Sequence, residues 1–178
     1  MNGLTWTRRL ARPVRLALAH QLGADIDGAW WPHTASVAGE LSELVEVLHR
    51  TLGEITDIDI NWSTTEGALD LNTILTGASI LRGAQHRRPR VMVVAGRDGC
   101  AKLLVVPHMT SQTLGAMVMR RAAAMPAFRT ELESQLSETA DRVVRAAQVE
   151  SAKWTARTHD ARPIEAVAAT HIMPATTI

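Results

Sequence analysis

Alternating apolar and polar residues predict several β-strands along the chain. Residues 14–18 and 58–62 repeat with a period of two, which is typical of strands with one buried face. Residues 91–106 hold two apolar runs on either side of Gly96-Arg97-Asp98-Gly99, the pattern of a β-hairpin. A further short strand is predicted near residues 79–82. The tryptophan pair at positions 30 and 31 adds a short extended piece.

Three other stretches have helical spacing. Residues 37–52 place their large apolar side chains on one face, with Ser36 as the N-cap and Gly53 as the stop. A second helix follows the hairpin and is broken by Pro126. A third carries an apolar stripe over residues 132–147.

The order of these elements predicts the fold class. A strand and a helix are followed by consecutive strands and then by two helices, which is typical of an α+β protein. We expect a mostly antiparallel sheet of about five strands, packed in two layers against about three helices. Residues 1–154 are predicted to form one domain and residues 155–178 a loosely ordered tail.

Composition narrows the class of protein. The 178 residues carry a formal net charge of +1, so the whole chain has little electrostatic attraction to nucleic acid or to anionic membranes. Cys100 is the only cysteine, which excludes an internal disulfide and favours a cytoplasmic location. No apolar run approaches the ~20 residues needed to span a bilayer.

The segment Asp27-Gly28-Ala29-Trp30-Trp31-Pro32 is the most distinctive motif. Neighbouring side chains of an extended chain point to opposite faces, so we expect one indole inside and the other at the surface. Trp30, Trp31, Asp27 and the nearby His33 are therefore the candidate residues for binding a ligand or partner. In the alternative interpretation, the indoles only pack and Asp27 only tightens a turn.

The other chemical motifs are weak. The seven histidines lack metal-binding spacing, and no nucleophile elbow or phosphate-binding loop is present, so we predict neither metal nor cofactor. His33 and His108 each follow a proline beside a strand end, and folding could bring them together.

A basic cluster precedes the predicted hairpin. Arg87, Arg88 and Arg90 are the best candidates for contact with an anion. Because acidic helix faces balance the charge, we expect this cluster to be a solvated loop, and we do not expect nucleic-acid binding.

The Asp27–Pro32 box, the acid-rich helix after it and the strand ending in Trp62 together resemble an uncharacterised actinobacterial family of unknown function. So does the order from the Gly96–Gly99 turn to the alanine-rich helix. The resemblance covers roughly residues 12–124. It implies a fold but no mechanism, since the family has no established activity.

Two functions follow from these observations. The first is a non-enzymatic cytoplasmic protein that binds a partner, or has a regulatory role, through a tryptophan-rich surface corner. The alternative is a small-ligand-binding protein or enzyme that uses Asp27 and His33 beside Trp30 and Trp31. The partner is an unknown protein or small molecule, and self-association stays open.

Overall fold

The computed structural model describes residues 12–63, 88–126 and 135–160. It contains five strands and three helices in the order β1 (Leu16–Leu18), β2 (Gly28–Trp30), α1 (Val37–Leu52), β3 (Ile55–Ile60), β4 (Val91–Gly96), β5 (Cys100–Val105), α2 (Gln112–Ala122) and α3 (Gln135–Asp160). The α+β class is confirmed. The strand predicted near residues 79–82 lies outside the described residues.

Helix α1 shows how local chemistry sets the boundaries of an element. The side chain of Ser36 accepts a hydrogen bond from the Gly39 N–H, which satisfies one of the free donors of the first turn. At the other end, Gly53 adopts a φ of 70° and donates its N–H to the His49 carbonyl. Only glycine reaches this backbone region at low cost. The predicted N-cap at Ser36 and the predicted stop at Gly53 are both confirmed.

The strands form one mixed sheet in the order β1-β2-β5-β4-β3. β2 and β5 are parallel, with Trp30 opposite Val105, and the other three pairings are antiparallel. The β4–β5 hairpin turns at the predicted Gly96–Gly99 segment, where the Gly96 N–H donates to the Gly99 carbonyl at 2.8 Å. The sheet is therefore mostly antiparallel, as expected.

The expected two-layer packing is wrong, because helices cover both faces of the sheet. Leu44, Leu48 and Leu52 of α1 pack against one face. The other face packs against α2 and α3, which contribute Leu114, Met117, Val118, Ala122, Ala140, Val143, Val144 and Ala147. Residues of β5 alternate between the two clusters, as side chains of a strand do. The result is three layers with the sheet in the middle.

Helix α3 differs from the predicted apolar stripe at Leu136 and in how far it extends. Leu136, assigned to the buried stripe, is 39% exposed. The helix also continues to Asp160, so residues 155–160 of the predicted tail are helical. Residues 161–178 lie outside the described residues. A partly buried ion pair joins α3 to α2, since the Arg121 guanidinium contacts the Asp141 carboxylate at 2.7 Å.

Helix α2 lies close to the sheet because Gly115 has no side chain. A Cβ atom at this position would stand 2.6 Å from atoms Cη2 and Cζ3 of the Trp31 ring. This spacing is shorter than van der Waals contact, so the indole occupies the space that a larger residue would need.

We therefore predict that Gly115→Ala destabilises the protein by about 1–3 kcal/mol, the usual cost of overpacking a core. This direction is opposite to the ~1 kcal/mol gain that alanine normally brings within a helix. Urea unfolding measures the change in free energy. Gly99→Ala is the control, since its Cβ would meet only Leu52 Cδ2 at 3.7 Å.

The cause of the clash can be tested in a double-mutant cycle. Phenylalanine lacks the outer ring atoms of the indole that crowd Gly115. The cost of Gly115→Ala should thus shrink in a Trp31→Phe background. An equal cost in both backgrounds would contradict this account.

Candidate functional site

Both indoles of the tryptophan pair are buried. Trp30 is 1% exposed and packs on the α1 side of the sheet, whereas Trp31 is 4% exposed and packs on the α2–α3 side. The prediction that they point to opposite faces is confirmed. The prediction that one of them is left at the surface is wrong, because the third layer covers the face on which it would have been exposed.

Arg15 holds the Trp31 segment in place. Its guanidinium lies 3.7 Å from the centroid of the Trp31 ring, within the range of a cation–π interaction. It also donates to the carbonyls of Trp31 at 3.0 Å and Pro32 at 2.6 Å. Burial lowers the pKa of Arg15, while Glu40 opposes this effect and Arg12 adds to it. Trp31 Nε1 is buried and has no hydrogen-bond partner among the described residues.

Asp27 has a structural role at the opposite end of β2. One carboxylate oxygen accepts the N–H groups of Gly23 at 2.7 Å and Ala24 at 2.9 Å. The other accepts the Lys102 N–H at 2.9 Å. The residue is 1% exposed. Its three hydrogen bonds close the loop before β2 and attach that loop to β5, as the packing interpretation expects.

The Glu40 side chain, in the first turn of α1, stabilises the turn at His33 and Thr34 that leads from β2 into the helix. The Glu40 carboxylate accepts the N–H groups of His33 at 2.8 Å and Thr34 at 2.7 Å, together with the Thr34 hydroxyl at 2.7 Å. Burial by itself raises the pKa of Glu40, but these hydrogen bonds and the nearby His33 outweigh it and lower the pKa. The His33 ring lies 3.0 Å from the Pro13 carbonyl through Nε2.

Four prolines mark one edge of the sheet, which we call the proline edge: Pro13, Pro32, Pro89 and Pro107. Proline lacks an N–H, so it ends strand pairing where it occurs. The parallel register pairs Trp30 with Val105, so His33 and His108 both stand three residues beyond this pair. The fold thus brings the two Pro-His segments to the same edge.

Asp27 and His33, in contrast, are not brought together. They flank β2 on opposite sides, since Asp27 directly precedes the strand and His33 lies three residues beyond its end. The two side chains named for acid–base chemistry therefore lie at opposite ends of the strand.

The basic cluster also lies at the proline edge. The Val105 N–H donates to the Arg90 carbonyl, and the Arg90 guanidinium lies 5.5 Å from the centroid of the Trp62 ring. Arg88 faces the Glu150 carboxylate of α3 at 3.7 Å. Arg87 lies outside the described residues. The Trp30–His33 segment and the pair Arg88 and Arg90, which are far apart in the sequence, thus lie at the same edge of the sheet.

Asn61 and Glu150 are the polar residues that sequence reasoning missed. Asn61 is assigned by its period to a solvated strand face, yet it is 5% exposed. Its side chain accepts the Val91 N–H at 2.8 Å and donates to the Pro89 carbonyl at 3.0 Å. The only feature of the sequence that indicates burial of Asn61 is its position next to Trp62 at a strand end. Nothing in the sequence around Glu150 indicates a contact with residue 61.

Cys100 is exposed at the other end of the sheet. Partial burial of its sulfur and the nearby Asp27 raise its pKa, while Lys102 acts in the opposite direction. A raised pKa keeps the thiol protonated at neutral pH, which disfavours a nucleophilic role. Within residues 12–63, 88–126 and 135–160, no three His, Cys, Asp or Glu side chains gather to hold a metal ion.

With this architecture in view, the family can be stated. The chain belongs to DUF5994, a family of unknown function whose profile matches residues 14–122. The match covers the whole sheet and ends with α2, so α3 lies beyond it. That the family is actinobacterial and is marked by the Asp27–Pro32 box stays a prediction.

Other comparisons add no relative. No curated protein and no solved structure matches the chain. None of the helices described above is long and apolar enough to cross a lipid bilayer.

Asp27→Asn tests the structural role of this carboxylate. The amide places one N–H₂ group against backbone donors, so at least one buried N–H loses its acceptor. We expect a loss of about 1–3 kcal/mol in the free energy of unfolding, measured by urea denaturation. Asp25→Asn is the matched control, because Asp25 is exposed in the same loop. Equal effects of the two variants would contradict the assignment.

Glu40→Gln tests the turn before α1 through its pH dependence. The folded-state pKa lies below the ordinary value of 4.5, so the carboxylate contributes stability above that value and loses it as pH falls through the folded-state pKa. We expect the variant to lose about 1 kcal/mol at pH 7, with the difference shrinking in acid. Thermal melts between pH 3 and pH 7 measure it, roughly bracketing the carboxyl titration.

Glu43→Gln provides the control for this experiment, because Glu43 is exposed on the same helix. A difference between Glu40→Gln and the wild type that is independent of pH would refute the role assigned to the carboxylate.

Proposed function

We propose that this protein is a non-enzymatic binding protein, with a regulatory role, that engages a partner protein through the proline edge. The observation that carries the proposal is the exposure of Met109. Its side chain is 79% exposed, whereas the other exposed large apolar side chains of the described chain range from 36% to 54%. Met109 follows His108 directly, at the edge to which the parallel register brings both Pro-His segments.

The backbone around Met109 is held in a defined turn. The Thr110 N–H donates to the Pro107 carbonyl at 3.0 Å, and α2 begins at Gln112. A loop fixed between a buried strand and a helix presents its side chains in one place. Methionine is polarisable and unbranched, so it adapts to the surface of a protein partner. In the proposed interface, Met109 would form the apolar centre and its polar neighbours the rim.

In this proposal the tryptophan pair supports the binding surface from below. Trp31 lies between Arg15 and α2, and this packing fixes the chain that leads to His33. In this proposal the tryptophan pair sets the shape of the proline edge. Met109, His33 and His108 contact the partner.

The alternative functions have less support. An acid–base pair of Asp27 and His33 is disfavoured because the residues flank β2 at opposite ends and Asp27 already accepts three backbone N–H groups. Nucleic-acid binding is disfavoured because the formal net charge of the chain is only +1 and Arg90 faces Trp62. We also propose a cytoplasmic location, which the single cysteine, Cys100, supports.

Site-specific crosslinking tests the proposal. A photoreactive amino acid replaces Met109 in one variant and Arg97 in a control. The Arg97 side chain is 72% exposed at the opposite end of the sheet, so the two positions are matched in exposure. In cells that naturally make the protein, we expect a discrete partner at position 109 that is absent at position 97.

The purified partner then gives a quantitative measurement. Because Met109 would lie at the centre of the interface, Met109→Ser should weaken binding by about tenfold or more in calorimetry. Identical crosslinks at both positions, or an affinity that Met109→Ser leaves unchanged, would overturn the proposal.

A further inference from the structure

Three nitrogen donors converge on a single oxygen, Oε1 of Glu150. Asn61 Nδ2 lies 3.3 Å from this atom, Arg157 Nη2 lies at 3.2 Å, and Arg88 Nη1 lies at 3.7 Å. The donors come from three different places in the chain: the end of β3, the approach to β4, and the last turns of α3. Two guanidinium groups therefore share one carboxylate.

Asn61 is the fixed member of this set. Its Oδ1 accepts the Val91 N–H, so the orientation of the amide is determined and Nδ2 faces the carboxylate. One Nδ2 hydrogen is bound to the Pro89 carbonyl, which leaves the other for Glu150. A buried donor whose direction is set by backbone contacts is preorganised for an anion.

Glu150 satisfies these donors only loosely. Its three contacts measure 3.2 to 3.7 Å, longer than the 2.7–2.9 Å typical of charge-assisted hydrogen bonds. Two other ion pairs of this protein reach that range: Arg121–Asp141 at 2.7 Å and Arg97–Glu54 at 2.9 Å. Among the described residues that form these contacts, two positive charges face one negative charge.

We propose that Asn61, Arg88 and Arg157 form a binding site for a phosphate-like oxyanion, in which Glu150 is the resident competitor. A doubly charged oxyanion balances the two guanidinium groups, and its several oxygens can each accept from a different donor. The proposal does not depend on the partner interaction suggested above.

The exposure of the residues fits an accessible site. The side chains of Arg88 and Arg157 are 39% and 55% exposed, so a solute can reach them, whereas Asn61 forms a buried floor. The Glu150 side chain is 12% exposed and projects from a helix, where a rotamer change moves its carboxylate away from the donors. Binding would therefore exchange one anion for another.

Glu150→Gln is the central experiment, because it removes the competing charge and keeps the size of the side chain. Wild type and variant are titrated with inorganic phosphate, following the Asn61 side-chain amide by NMR and the affinity by calorimetry. We expect the variant to bind phosphate at least about tenfold more tightly, since a like charge within a few ångströms of the site is gone. Adding Arg88→Gln to this variant should abolish binding.

Glu54→Gln is the matched control. It also removes a carboxylate from an arginine pair, but at an exposed position where the Arg97 and Glu54 side chains are 72% and 60% exposed. This variant should bind phosphate no better than the wild type does. A phosphoserine peptide titrated in parallel distinguishes a phosphorylated protein from the free ion as the source of the oxyanion.

Equal phosphate affinity of Glu150→Gln and Glu54→Gln would overturn the proposal. If Glu150→Gln does not fold, the wild type decides the question. Phosphate must then shift the Asn61 amide resonances in the wild type and not in Arg88→Gln, and the absence of that shift would equally overturn the site.

Discussion

The parallel pairing of β2 with β5 is the constraint on which the rest of the structure depends. Asp27 secures its beginning, donating its N–H to the Lys102 carbonyl at 2.8 Å and accepting the Lys102 N–H at 2.9 Å. At the far end, the Val106 N–H donates to the Trp30 carbonyl at 2.8 Å. This pairing holds β2 inside the sheet, where the two indoles extend to opposite faces, and it aligns the two Pro-His segments at one edge.

Helix α3 encloses the side of the sheet that this pairing builds. Residues of α3 cover the sheet face on which Trp31 lies, and its Glu150 reaches Asn61 and Arg88. Yet α3 lies beyond residues 14–122, the part matched to the family. Part of one helical layer and two members of the oxyanion cluster, Glu150 and Arg157, thus come from outside the segment that the family profile matches.

Local patterns predicted local structure well. The caps of α1 at Ser36 and Gly53 and the hairpin around Gly96–Gly99 follow from the preferences of a few neighbouring residues. The layer count did not follow, because an apolar helical stripe carries no information about which sheet face it will cover. For the same reason, the alternation that placed Trp31 on the face opposite Trp30 could not say whether that face would be open.

The candidate site was predictable only in pieces. His33, Arg88 and Arg90 were named from their types and neighbours, and the fold brings them to one edge. Met109 and Glu150 were missed because exposure and long-range contact depend on tertiary structure. The contact between Asn61 and Glu150 joins residues 89 positions apart, a distance over which no local pattern extends.

The separation of β2 from β5 has a consequence for how the chain folds. Asp27 and Lys102 are 75 positions apart, and closing so long a loop is entropically costly and slow. A two-stranded ribbon of β1 and β2, with three residues in each strand, is too short to be stable alone. During synthesis on the ribosome, Trp30 and Trp31 therefore remain exposed to solvent until β5 has emerged and can pair with β2.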